Sequence, residues 1–523
     1  MVFNVEKIVD FELEQPLSFP STEGIENILG FITDKIKSDN IGVVQGPPGT
    51  RKTFSIFTSI EKVFDNLDEN ELIIYVAPTN ALVAQGLQYA VRALRWKGFT
   101  QREVKSEILR SVRVYGSQFE LPGTYKKLRD KVDAETRIVL TTPYQIPSIE
   151  EKDFFHIMVD EASRMKLHEA FMEIRRKIVE KISNGEGLEG SMIVVGDPMQ
   201  AIVLPEHYRE IEKLRKERLL LESLLEGLLT ISGVDTRELE SSDLTREALQ
   251  RIRGKWFEFI EVTFRLPQPT ERPISMGFYD GKLTAKFSFE ERLKELEISP
   301  GNSPLKFGDE TLDKLSESVF ECLSTHIPLL VIEPTESDWM DEEYGILNEP
   351  HRAKIAGALS VVLSSYGFRT TVVTAYKDQA FHIKMFTEEK YRNYLNNIKE
   401  RVDFINVHRI LGGENQAIVA VLGKEYATRH EDRQTVYFQE PELLNVQLSR
   451  HKAFLAIVGD LRRLYRSATS LDQRERTKRY RPIIETAREI LELTNVEENE
   501  IERAKRGREK YEGDEGLYIR WKI

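Results

Sequence analysis

The sequence predicts an α/β protein made of two parallel-sheet units in tandem, and three observations carry that prediction. Short, near-continuous apolar runs alternate with helical stretches, as strands buried on both faces of a parallel sheet require. The runs fall into two series separated by a charged, helical interval. A glycine-rich loop, Gly46-Pro-Pro-Gly-Thr-Arg-Lys-Thr53, joins the first run to a helical pattern. That strand–loop–helix context is what a phosphate-binding loop needs.

In the first series, Ile41-Gly-Val-Val-Gln45 reads as the buried strand before the loop, and Phe54 onward as the helix after it. Leu72-Ile-Ile-Tyr-Val-Ala77, Arg137-Ile-Val-Leu-Thr141, His156-Ile-Met-Val-Asp160 and Met192-Ile-Val-Val-Gly196 follow as strands. Residues 96–110 read as a short charged insertion. Residues 205–255 read as a helical, charged insertion whose Leu214, Leu221, Leu224, Leu225 and Leu228 share a packing face. The second series is Leu329-Leu-Val-Ile-Glu333, Thr371-Val-Val-Thr374, Ala417-Ile-Val-Ala-Val-Leu422 and Phe454-Leu-Ala-Ile-Val458. The expected division is therefore 1–265, 266–470 and a charged helical extension over 471–523.

Composition narrows the class. The chain has 523 residues, 40% hydrophobic and 31% charged, as ordinary globular proteins do. No apolar run reaches the length of a membrane span and the N-terminus lacks a signal-peptide pattern, so an intracellular, cytoplasmic protein without a membrane partner is expected. Cys322 stands alone, which excludes disulfides within the chain and cysteine-rich zinc sites. A net charge of −12 argues against a generally basic nucleic-acid coat but leaves room for a local groove. Arg462, Arg463, Arg466, Arg474, Arg476, Lys478, Arg479 and Arg481 form one candidate; a solvated helix face interleaved with Glu is the plainer reading.

The chemistry concentrates at three places. In the loop, backbone N–H groups and the helix N-terminus suit phosphates, Lys52 reaches the β/γ-phosphates, and the Thr53 hydroxyl suits Mg²⁺. Arg51 stands where the pattern has glycine. A side chain there competes for the space through which backbone approaches phosphate, so impaired ATP binding or turnover is expected. Val159-Asp160-Glu161 ends a strand with two acids: Asp160 suits Mg²⁺ and Glu161 suits polarising a water. Gln200, in Gly196-Asp-Pro-Met-Gln200, suits sensing a γ-phosphate; alone, the segment would be only a turn.

Taken in order, Gly46-Pro-Pro-Gly-Thr50, Ala77-Pro-Thr-Asn80, Thr141-Thr142, Asp160-Glu-Ala-Ser163 and Gly196-Asp-Pro-Met-Gln200 resemble superfamily 1 helicase motifs. Phe264-Arg-Leu-Pro267, Phe278-Tyr-Asp-Gly-Lys-Leu283, Thr374-Ala-Tyr-Lys-Asp-Gln379, Gly412-Gly-Glu414 and Val446-Gln-Leu-Ser-Arg-His-Lys452 continue the series. Several of these look like the 1B branch that contains the nonsense-mediated-decay (Upf-like) RNA/DNA helicases, with this chain a compact prokaryotic or archaeal relative. The resemblance covers roughly residues 20–460, and its specificity lies in the ordered set.

The resemblance implies two RecA-like domains with ATP and Mg²⁺ bound between them. Gly46, Pro47, Pro48, Gly49, Thr50, Arg51, Lys52 and Thr53 would bind the nucleotide, and Thr53 and Asp160 the metal. Glu161 would activate water, Gln200 would link the γ-phosphate to nucleic acid, and Arg265 and Arg450 would be arginine fingers. Phe264 would stack on the base, and Glu414 would contact the ribose. Pro78, Thr79, Thr141 and Thr142 would touch the nucleic-acid backbone. Leu411 replaces the family's glutamine, and Thr22-Glu-Gly-Ile-Glu-Asn27 offers no adenine-reading Gln where one is expected.

Three functions compete. The first is a monomeric ATP-driven helicase or translocase on single-stranded RNA or DNA, moving 5′-to-3′ by family resemblance. The second is a non-hydrolysing single-strand clamp, with Arg51 blocking turnover; intact Glu161, Gln200, Arg265 and Arg450 weigh against it. The third, a nuclease fusion, lacks a metal-ligand cluster, since the nine histidines are scattered.

Overall fold

In the computed structural model, the described residues are all except 1, 18–19, 39, 146–151, 153, 166–189, 201–219, 235–246, 335–349, 409–412, 426–435, 476–478, 497–509, 513–515 and 522–523. Leu214, Leu411, Gly412, Arg476 and Lys478 lie outside them. The chain divides into two units: Met1–Pro198 with Glu206–Glu261, and Met199–Pro205 with Val262–Ile523.

The first unit contains β1 (Phe3–Asn4), β2 (Ile41–Gln45), β3 (Glu71–Val76), β4 (Val112–Tyr115), β5 (Phe119–Glu120), β6 (Ile138–Thr141), β7 (Phe154–Val159), β8 (Gly190–Gly196) and β9 (Phe257–Phe259). Seven of these form one sheet in the order β4-β6-β3-β7-β8-β2-β9, and every neighbouring pair is parallel. Parallel pairing needs crossovers, and helices Lys52–Val63 and Asn80–Trp96 supply two of them. Helix Asn80–Trp96 is capped by Thr79, whose hydroxyl accepts from the Leu82 N–H.

The charged insertion read at 96–110 is mostly helix. Thr100 and Glu103 form a capping box, and helix Gln101–Ser111 buries Val104 and Ile108. In the later insertion, helix Leu220–Ile231 buries Leu221, Leu225 and Leu228, while Leu224 is half-buried.

The second unit contains β10 (Val262–Gln268), β11 (Thr284–Ser288), β12 (Leu329–Pro334), β13 (Thr370–Thr374), β14 (Val402–Asn406), β15 (Asn415–Val421), β16 (His451–Val458), β17 (Lys510–Glu512) and β18 (Leu517–Trp521). β10 and β11 pair with each other, and the rest form a second seven-stranded sheet, β14-β13-β15-β16-β12-β18-β17. It is parallel except for the β17–β18 pair at its edge. Helix Pro350–Ser365 is apolar around most of its circumference and accordingly buried, with Ile355, Leu359 and Val362 in the core. The fold is thus α/β with two parallel-sheet units, consistent with tandem RecA-like helicase domains. Among the described residues, no helix is long and apolar enough to cross a membrane.

Two expected boundaries move. The units part at Glu261/Val262, because β10 pairs with β11 and not with the first sheet, so Phe264 and Arg265 belong to the second unit. The C-terminal stretch is not a helical extension. Helix Leu461–Glu475 runs through position 471, helix Arg481–Leu493 follows, and β18 then enters the sheet beside β12. The aromatic and β-branched residues of Leu517-Tyr-Ile-Arg-Trp521 suit a strand, and Leu517, Tyr518 and Ile519 are buried.

This placement also removes Arg462 from the candidate basic groove. It is buried, 2.7 Å from the Glu333 carboxylate that also accepts the Tyr518 hydroxyl. Arg479 donates to the Gln439 carbonyl, and Arg481 lies 3.9 Å from Glu485.

Candidate nucleotide site

Parallel strands all end on the same side of a sheet, so the register decides which loops meet. In the first unit, Gln45 pairs with Gly196, Val76 with Val159, and Val76 with Thr141. The phosphate loop, Pro78-Thr79, Thr142, Asp160-Glu161 and Gly196-Asp197 therefore share the carboxyl edge, where open α/β sheets bind ligands. The Gly46 N–H donates to the Gly196 carbonyl at 2.9 Å, tying two of these loops together.

The loop folds tightly on itself. A Cβ at Gly46 would lie 2.4 Å from the Lys52 Cγ, so a side chain there would displace Lys52. Gly49 has φ +73°, and the buried Thr50 hydroxyl donates to the Pro47 carbonyl at 2.8 Å. Lys52 Nζ bridges the Gly46 carbonyl at 2.9 Å and the Glu161 carboxylate at 3.4 Å. The cation and the acid assigned to ATP chemistry are therefore already neighbours.

Arg51 takes the left-handed conformation, φ 61° and ψ 40°, that glycine adopts without penalty. For an arginine this costs about 1–2 kcal/mol. Its guanidinium donates to the Ser21 carbonyl at 2.8 Å and lies 5.6 Å from the centre of the Phe54 ring. The loop backbone thus keeps the glycine-type geometry, while the side chain is engaged by Ser21 and Phe54.

Asp160 is fully buried at the end of β7. Its Oδ2 accepts from the Thr53 hydroxyl at 2.5 Å and the Tyr75 hydroxyl at 2.9 Å, and its Oδ1 from the Glu161 N–H at 2.9 Å. Burial, then the Glu161 charge, push the Asp160 pKa up, against the Thr53 bond, the Lys52 charge and the Tyr75 bond. Burial, then Asp160, push the Tyr75 phenol far up, so it stays a donor. A buried carboxylate bonded to a hydroxyl is a hard-oxygen pair, and it fits Mg²⁺, which takes one or two protein ligands and completes its shell with phosphate and water. Among the described residues no group of three or more His, Cys, Asp and Glu is placed to hold a metal ion.

The proposed nucleic-acid residues divide. Thr79 is exposed and Pro78 half-buried, whereas Thr141 and Thr142 are buried, with the Thr141 hydroxyl donating to the Thr142 carbonyl at 3.0 Å. Thr141 closes β6, an interior strand between β4 and β3, and Thr142 follows it.

The second unit assembles another group. Arg265 Nε and Lys452 Nζ hold the Glu414 carboxylate at 2.8 and 2.5 Å. Burial pushes the Glu414 pKa up, but the two cations outweigh it and hold the acid down at about 2. Arg265 also donates to the Ser449 carbonyl at 3.2 Å. Arg450 donates to the Val446 carbonyl and to Gln200 Oε1, both at 3.2 Å. Asn445 secures the neighbouring residue, donating to the Met199 carbonyl at 2.7 Å and the Tyr279 hydroxyl at 2.8 Å. His451 donates to or accepts from Thr270 Oγ1 at 2.7 Å, and burial pushes its pKa down to about 3, so it is neutral. Phe264 is 8% exposed and packs edge-on to Phe287.

The Glu414 pair predicts an acid response. A carboxylate held below its ordinary 4.5 stabilises the fold fully above that pH, and the contribution is lost as pH falls toward about 2. Glu414→Gln is expected to remove that part of the acid limb, read by tryptophan fluorescence across the window.

Two family models match the chain, one in each half. Residues 26–203 match the DEAD/DEAH box helicase family, and residues 244–462 match an AAA domain family. The matches support a helicase superfamily. A solved structure, the DUF1998 helicase MrfA bound to DNA and AMPPNP, aligns at 11% identity with a TM-score of 0.38. The alignment covers 87% of this chain and 53% of that one, so the chain spans about half of that protein's length, and the likeness at this score carries no argument. No curated protein matches the chain.

Sequence reasoning missed Tyr75, Asn445 and Lys452. Only Tyr75 left a signal, as the one polar atom in an otherwise apolar stretch, Leu72-Ile-Ile-Tyr-Val-Ala77.

Proposed function

We propose that this chain is an ATP-driven motor on single-stranded RNA or DNA, of the Upf-like branch of superfamily 1 and moving 5′-to-3′. The observation that carries the reading is the convergence of Lys52 on Glu161 and Thr53 on Asp160 at one sheet edge. In this reading Lys52 and the loop N–H groups neutralise the phosphates, and Thr53 and Asp160 hold Mg²⁺, which supplies charge neutralisation on the phosphate oxygens when bound. Glu161 orients and deprotonates the attacking water. The family resemblance assigns Arg265 and Arg450 to transition-state charge, Gln200 to the γ-phosphate and Glu414 to the ribose. Thr79 and Pro78 meet the strand's backbone, which makes binding tolerant of sequence. A monomeric, cytoplasmic protein goes with this reading.

The second reading, a non-hydrolysing strand clamp, is favoured by Arg51 at a left-handed position of the loop. Strand affinity measured with and without ATP separates the two. A motor changes its grip with nucleotide state; a clamp binds equally in both. We propose that Arg51 depresses turnover, so Arg51→Gly is expected to raise kcat/KM for ATP by roughly tenfold, about the factor that 1.4 kcal/mol represents.

A further inference from the structure

We propose that Tyr75 is a positioning residue for the metal-binding carboxylate of Asp160, an inference that rests on the nucleotide-hydrolysing reading above. β3 is otherwise apolar along its buried length, and Tyr75 is 0% exposed. Packing alone would be met by phenylalanine. A buried hydroxyl without a partner is destabilising, so its retention needs a hydrogen bond. The bond it makes is to Asp160 Oδ2, the same oxygen that accepts from Thr53.

The ring is held in place from the helix side. Gly86 lies inside helix Asn80–Trp96, where glycine is about 1 kcal/mol worse than alanine. A Cβ at Gly86 would come within 2.7 Å of Tyr75 Cε1. The helix therefore carries an unfavourable residue at a point where a side chain would press on this ring. Phe57 tilts against the ring from the phosphate-loop helix, with centroids 5.0 Å apart. Strand, helix and loop helix together aim one phenol at one carboxylate.

With the Thr53 hydroxyl and the Tyr75 hydroxyl on Oδ2 and the Glu161 N–H on Oδ1, the Asp160 carboxylate plane is fixed by three donors. Removing an outer partner of a metal ligand typically weakens metal binding by roughly 10–100-fold.

The test is binding of a fluorescent, non-hydrolysable ATP analogue to the full chain, titrated with Mg²⁺, in the Arg51 and Arg51→Gly backgrounds. Tyr75→Phe is expected to raise the Mg²⁺ midpoint roughly tenfold or more, with nucleotide affinity in EDTA little changed and the melting temperature lowered by the loss of one bond to a buried carboxylate. Gly86→Ala, which displaces the ring without touching the site, is expected to shift the midpoint in the same direction. An unmoved Mg²⁺ midpoint in Tyr75→Phe overturns the positioning role. If neither parent binds nucleotide in an Mg²⁺-dependent way, the hydrolysing reading itself fails and this role falls with it, a result visible in the parents alone.

Discussion

Glu161→Gln is expected to abolish ATP turnover, by roughly 10²–10⁴-fold in kcat, while nucleotide still binds. Glutamine keeps the shape and can still hydrogen-bond a water, but it cannot take the proton. Glu161 sits 3.4 Å from Lys52 Nζ and directly follows the buried Asp160, so its carboxylate is next to the groups assigned to phosphate and metal. Its backbone is left-handed, φ 49°, an unusual conformation for a residue with a side chain and one that recurs at functional sites. Replacement also removes the ion partner of Lys52, so nucleotide affinity is expected to hold or rise. Steady-state hydrolysis, paired with nucleotide binding, measures both halves. A variant that loses binding as much as turnover would assign Glu161 to the shape of the loop instead.

The second large effect is on stability. Arg352 and Glu425 are 2% and 0% exposed in the second unit and pair through both guanidinium nitrogens, the longer contact being 2.9 Å. Arg352 also donates to the Leu422 and Gly423 carbonyls at 3.1 and 3.3 Å, and the Asp460 N–H donates to Glu425 at 3.0 Å. Burial pushes the Glu425 pKa up, opposed first by Arg352 and then by the Asp460 N–H. Arg352→Ala would strand a buried carboxylate without its cation. A loss of about 3–5 kcal/mol is expected, or roughly 6–20 °C in the melting temperature of a unit this size. Replacing both partners with apolar residues is expected to recover much of it, because the desolvation of both charges is then removed. Thermal melts of the single and double variants check the pair.

Much of the fold was legible because fully buried parallel strands are contiguous apolar runs. Ile41–Gln45 and Leu329–Glu333 could hardly be anything else. The phosphate loop and Asp160-Glu161 were readable for a related reason: each packs its chemistry into a few consecutive residues. Strands with a polar side were missed. β14 is half exposed and carries Asp403 and Asn406, and β4 holds Arg113, whose guanidinium reaches Asp133 at 2.7 Å. β18 was hidden by the charged residues around it.

Partnerships made by the tertiary fold had no local trace. Tyr75 and Asp160 are 85 positions apart, and Asn445 and Met199 are 246 apart. An aromatic within a motif, such as Phe264, looks identical in sequence whether its ring faces a ligand or the core. Arg51 was visible as an oddity, but its left-handed backbone and its hold on Ser21 were not.

The most direct measurement of the central claim is ATP hydrolysis by this chain and by Arg51→Gly, each with and without single-stranded RNA and DNA. The account predicts that Arg51→Gly turns over ATP, that single strands stimulate it, and that the Arg51 chain is roughly tenfold slower. An Arg51→Gly chain that binds strands yet hydrolyses no ATP would contradict it and leave the clamp.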